Sequence, residues 1–271
     1  MLVQICHGLG LYGGRTLSTK SRNIYSIRPN AVKSDESLPQ KYGPFVMEMP
    51  LDHFSSNGPN TTFKNRYWVN TDYYQPNGPI LFTNAGEAAV DDANYAIFNS
   101  TIAQLAQRLG GIFIYMEHRF YGSSGPDDFE KELSKLTVEQ ALADMAYLLD
   151  NVKFSSKLDV PRVPKTKVIV YGCSYSGSLA AWMKDKYADI IFASVASSAP
   201  VQAQFNFYQY FDPIIRYAPA PCINSIRNLI SVVDNILFGN NTKQIDALKK
   251  LFNAEELYND DFASRKLLIL I

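Results

Sequence analysis

The sequence is poor in the residues that most often hold metals or staple small folds. Of its 271 residues three are cysteine (Cys6, Cys173, Cys222) and three are histidine (His7, His53, His118). The cysteine spacing matches neither a metal-ligand pattern nor a disulfide framework, so no metal and no cofactor is expected. Charge of either sign is not in excess, because 26 Lys and Arg balance 26 Asp and Glu. That balance removes the electrostatic footprint by which nucleic acid or an anionic membrane surface is bound. Long apolar runs are missing too. The nearest, 168–183 and 190–211, are interrupted by Gly172, Ser174, Ser176 and Gly177 and by Pro200, Gln202, Gln204 and Asn206, whereas a membrane span needs about 20 lipid-facing residues. The N-terminal MLVQICHGLGLYGG has no basic stretch and no sustained apolar run, so it does not read as a signal peptide.

What is present is a globular composition, 46% hydrophobic and 19% charged, which argues against extended disorder and is ample for a sizeable core. Residues 1–41, rich in Ser, Arg, Lys and Asn without a period, read as a poorly ordered leader. Residues 45–49 and 62–70 read as strands, the second with alternating character, joined by the turn signal Asn57-Gly58-Pro59. From there short apolar strands alternate with helices. Strands are expected at 79–84, 112–116, 167–171 and 190–196, and helices at 95–109, 137–150 and 179–187. Gly110 ends the first helix in a left-handed cap, and Thr137 caps the second. Apolar strands alternating with helices predict an α/β fold with a parallel sheet covered on both faces, over 42–200. Residues 201–271 change character, with aromatics, prolines and then helices at 223–237 and 242–252, and read as the start of a helical insertion over the sheet. A last strand is expected at 267–271.

The most specific chemical signal is Gly172-Cys173-Ser174-Tyr175-Ser176-Gly177, a G-x-S-x-G between a strand and a helix. In that setting the glycines allow a sharp turn that holds the Ser174 hydroxyl at the carboxyl end of the sheet, where the helix N-terminus stabilises negative charge. An acyl-transfer site of this kind needs an oxyanion hole. One donor is expected from the Tyr175 backbone N–H and the other from the loop after 79–84, where Gly86 permits close backbone approach. Glu87 beside it either binds a substrate amine or caps the nearby turn. His118, in Glu117-His118-Arg119-Phe120-Tyr121-Gly122, precedes Ser174, whereas the triad order in such hydrolases is nucleophile, acid, histidine. It is therefore read with Arg119 as bracing a loop. Three sequons, at Asn60, Asn99 and Asn240, suit a secreted glycoprotein.

Several collinear stretches resemble the prolyl carboxypeptidase and dipeptidyl peptidase II family of serine peptidases. They are 50–54 (PLDHF), 62–68, 84–87 (NAGE), 117–122 (EHRFYG), 136–144 (LTVEQALAD), 172–182 (GCSYSGSLAAW) and 197–201 (SSAPV). The resemblance implies an α/β-hydrolase core with a helical cap, Ser174 as nucleophile, and cleavage after proline in peptides with proline near a terminus. It further implies a secreted, lysosomal or vacuolar setting and is compatible with a homodimer. It does not decide between carboxypeptidase and aminodipeptidase action. Cys173 stands where the family often has glycine, and Cys222 resembles half of a cap disulfide.

Downstream of Ser174 the chain departs from the family, because that stretch contains no histidine. Asp234 and Asp246 fall in expected cap helices and are poor triad candidates. The chain is therefore expected to be a piece cut within the cap, nearly inactive by itself and of poor solubility. A non-catalytic binding fragment, and more remotely an esterase, are the alternatives.

Overall fold

The computed structural model describes residues 40–56, 61–90, 93–205 and 207–267. Most of the expected leader, the 57–59 turn, Asn60 and residues 268–271 of the expected last strand lie outside them. The chain divides into two compact units, the first ending at Gln202 and the second starting at Ala203.

The first unit is built on a six-stranded sheet in the order β1-β2-β4-β3-β5-β6. Its strands are β1 (Phe45–Pro50), β2 (Thr62–Asn70), β3 (Ile80–Asn84), β4 (Ile112–Met116), β5 (Val168–Cys173) and β6 (Ala193–Ser197). β3 to β6 run parallel, as their unbroken apolar character predicts, while β1 and β2 are antiparallel additions. The fold class is α/β, and this order with an antiparallel entry is that of an α/β-hydrolase core.

Each face of the sheet is packed by its own set of side chains. On one face Met49, Phe82, Ile114 and Val170 meet Met145 and Leu148 of α2 (Val138–Asn151) and Leu179 and Met183 of α3 (Tyr175–Lys186). On the other face Leu81 and Phe113 meet Ile97, and Ile102 and Ala106 of α1 (Thr101–Arg108). Thr137 caps α2 by accepting from the Gln140 N–H, and Gly110 leaves α1 at φ +57°, both as expected.

Three expectations are corrected. The helix read at 95–109 is two pieces, a π-helical turn Tyr95–Asn99 and then α1, because Ser100 adopts an extended conformation and caps the new helix through Ala103 N–H. The strand read from 190 pairs only from Ala193, since Ile191 N–H is drawn back to Tyr187 O to close the exit of α3. The helix read from 179 starts at Tyr175, immediately after the serine.

The second unit holds α4 (Asp212–Tyr217), α5 (Ala220–Leu237), α6 (Thr242–Leu251) and α7 (Asn259–Leu267) around Val233, Leu237, Leu248 and Phe262. Leu267 ends α7 and does not begin a strand. No helix among the described residues is long and apolar enough to cross a membrane.

Candidate active site

The sheet order creates the site. From β3 the chain crosses to β4 on one side, and from β4 it crosses back to β5 on the other, so the loops leaving β3 and β5 open a crevice at the carboxyl ends of the strands. Ser174 and residues 85–88 occupy that crevice and line one cavity of about 120 Å³. Tyr95, Phe113, Tyr115 and Tyr171 line it as well, so polar groups and aromatic rings share its wall. Among the described residues no cluster of His, Cys, Asp and Glu could hold a metal ion.

Ser174 has φ +58° and ψ −130°, a conformation that costs a non-glycine residue about 1–3 kcal/mol and persists only where neighbours over-determine it. Two backbone carbonyls supply that constraint. Ser174 N–H donates to Ser197 O at the end of β6 (3.0 Å), and the Ser176 hydroxyl donates to Asn84 O at the end of β3 (2.6 Å). A Cβ on Gly172 would lie 1.9 Å from Ser176 O, and one on Gly177 would lie 2.7 Å from Ser197 O. Both glycines are therefore required by close backbone approach, which is the packing reason behind the G-x-S-x-G spacing. Tyr175 opens α3, and no acceptor for its N–H lies among the described residues, so it presents a free donor at a helix N-terminus.

The loop after β3 corrects one expectation. Gly86 has φ +75° and lies against α3, where an added Cβ would be 3.7 Å from Ser176 N. Its own N–H, however, donates to Asn84 Oδ1 at 2.9 Å in an Asx turn, so that hydrogen is committed. The Glu87 N–H in the same cavity wall has no acceptor among the described residues. The Glu87 carboxylate makes no hydrogen bond there either, so the turn-capping alternative falls away. It is exposed, and its charge, after burial, helps to raise the phenols of Tyr121 and Tyr175, the latter to about 12.

Glu117, His118 and Arg119 leave β4 and are all fully buried. Arg119 uses all of its donors: Nε and Nη2 hold Asp144 (2.6 and 2.8 Å), and Nη1 and Nη2 hold the carbonyls of Leu51, Lys135 and Pro50. His53 Nε2 meets the same Asp144 at 2.7 Å. Glu117 accepts from Arg66, Ser124 Oγ and Val90 N–H, and although burial alone would raise its pKa, these bonds hold it below the ordinary value. His118 Nδ1 faces Arg119 O (2.8 Å) and Nε2 faces the Tyr175 hydroxyl (3.0 Å). Burial pushes its pKa down. It is thus a neutral imidazole with both nitrogens engaged, a brace as expected and not a free base.

Sequence reasoning missed His53, Arg66, Asn84 and Asp144 as contributors. The signal lay in the motif stretches themselves, since 50–54, 117–122 and 136–144 prove to be the parts of one buried network.

Asn99 is half-buried at the end of the π-helical turn, Asn240 is exposed between α5 and α6, and Asn60 lies outside the described residues. Cys222 is an exposed free thiol. Cys173 is disulfide-bonded, against the expectation of no disulfide.

Comparison with known proteins bears on the same stretch. The chain is 38% identical over 229 residues to a probable extracellular serine carboxypeptidase of Arthroderma benhamiae, covering 81% of this chain and 32% of that protein. It is 30% identical over 252 residues to a serine protease of Bipolaris victoriae, covering 91% and 46%. It is 32% identical over 214 residues to the lysosomal Pro-X carboxypeptidase of Mus musculus, covering 74% and 42%. The chain thus spans a third to just under half the length of these relatives. A family model described as serine carboxypeptidase S28 matches residues 49–268, and the chain belongs to that family.

Proposed function

We propose that this chain carries the nucleophile and oxyanion-binding half of a serine peptidase that cleaves after proline near a peptide terminus. In this reading the Ser174 oxygen attacks the scissile carbonyl carbon, and the leaving amine departs with a proton to give an acyl-enzyme that water hydrolyses. The Tyr175 and Glu87 N–H groups are the oxyanion donors, the second replacing Gly86, whose N–H is held by Asn84. The exposed Glu87 carboxylate contacts a cationic group of the substrate. The strained Ser174 backbone beside a free helix N-terminus carries the reading, because an ordinary serine in a strand-to-helix turn has no need of it.

The base is the part this chain does not supply. No histidine follows Ser174, and both described histidines are engaged, His118 at both nitrogens. The chain alone is expected to turn over substrate slowly, as sites lacking a triad member do. The names of the relatives support a secreted or lysosomal setting.

The test is labelling with an alkyl fluorophosphonate, together with hydrolysis of a proline-containing chromogenic peptide. We expect labelling confined to Ser174 and abolished by Ser174→Ala, slow because phosphonylation needs the same absent base, with peptide turnover at least about a thousandfold below that of a full-length relative. Labelling that survives Ser174→Ala would refute the assignment. Peptide binding without any labelling would favour a binding role.

A further inference from the structure

The first residue of α3 has no acceptor for its backbone N–H among the described residues. Ser174 is held by Ser197 O and Ser176 by Asn84 O, but the Tyr175 N–H is free. What holds Tyr175 on that side is its side chain, whose hydroxyl donates to His118 Nε2 at 3.0 Å. The imidazole ring is in turn fixed, because its Nδ1–H donates to Arg119 O at 2.8 Å. Arg119 cannot move without breaking the bonds to Asp144 and three backbone carbonyls. The Tyr121 ring packs edge-on against the imidazole with centroids 5.3 Å apart.

We propose that His118 is a positioning residue: a fixed acceptor that pins the Tyr175 side chain and thereby aims the Tyr175 N–H at the atom bound to Ser174. The inference rests on the reading of Ser174 as nucleophile. Its chemistry is specific about the ring state. A neutral Nδ1–H tautomer offers Nε2 as an acceptor, and burial keeps the ring neutral. A protonated ring would present N–H instead, and the link would then persist only with its direction reversed and the phenol oxygen accepting. Tyr175 meets the requirement from its side, since its phenol stays protonated across the working range. The link also explains why a buried histidine sits in EHRFYG without serving as a base: it ties the end of β4 to the start of α3.

The experiment uses the full 271-residue chain and the saturable labelling of Ser174 by an alkyl fluorophosphonate. Tyr175→Phe removes one hydroxyl and His118→Phe removes the acceptor. Each should slow the maximal labelling step about tenfold while the half-saturating probe concentration changes less than about twofold. The double variant should be no slower than the slower single one, and His118→Gln, which keeps an acceptor near Nε2, should recover most of the rate. Tyr175→Phe labelling at the unaltered rate would overturn the proposal.

A second readout needs no reactive serine. The Tyr175 amide resonance in 15N–1H spectra should shift in His118→Phe and return toward its position in His118→Gln, with thermal melting confirming that the variants are folded. An unmoved resonance overturns the proposal, and absence of labelling in the unaltered chain overturns only the reading of Ser174.

Discussion

Single residues at this site act through geometry more than through exposure. Arg119 illustrates it: a guanidinium with no solvent contact, all donors used, facing one carboxylate that His53 shares. Arg119→Leu leaves Asp144 as a buried charge without its main partner and is expected to cost about 3–5 kcal/mol, read from the urea midpoint. Gly172→Ala is expected to cost about 3 kcal/mol or more, because its Cβ meets backbone that has nowhere to go; near-native stability would contradict the tight elbow. Ser174, Tyr175 and the surrounding glycines were legible in the sequence because a local spacing encodes a local turn. Gly86 was legible as a close-approach glycine but misread as a donor, since the competing acceptor is the side chain of Asn84, and nothing in a linear motif says which way an amide turns.

At the scale of elements, the strands were read nearly to the residue where burial is two-sided, as in β3 and β4. The helices were misjudged where polar residues act on backbone. Ser100 broke a helix that apolar spacing alone would continue, and Thr137 capped one as expected, so hydroxyl residues at two positions gave one failure and one success. Thr137→Ala should lower stability by about 1 kcal/mol, measurable by thermal melting, with no change in labelling of Ser174. β6 is the outer strand of the sheet among the described residues, short, uncharged, and exposing Val195. Such an edge templates association. Val195→Lys is expected to reduce aggregation of the chain in sedimentation, and equal aggregation would place the sticky surface elsewhere.

For the molecule as a whole, acid is the condition to which the buried network is exposed. His118 has a folded pKa below the ordinary 6.5, so the unfolded chain takes up that proton first as pH falls. Its contribution to stability is complete above 6.5 and is lost as pH drops through the folded value. Glu117 and Asp52, the latter held down to about 2 chiefly by Lys135, add losses of the same sign starting lower, below their ordinary 4.5 and 3.8. The urea midpoint, followed by the fluorescence of Trp68 and Trp182, should be level near pH 7 and fall steadily toward about pH 4. His118→Phe should flatten only the upper part of that fall, and a midpoint that rises on acidification would contradict the network's role.

The clamp on Ser174 has a mechanical corollary. Ser197 O belongs to the last residue of the outermost strand among those described, so the torsion that presents the hydroxyl is set by a strand paired on one side. β6 therefore behaves as a tuning peg. A slip of one residue in its register would withdraw the carbonyl and let the hinge at Ser174 relax, and any strand that docks along that flank and stiffens β6 would tighten the hinge without touching the crevice.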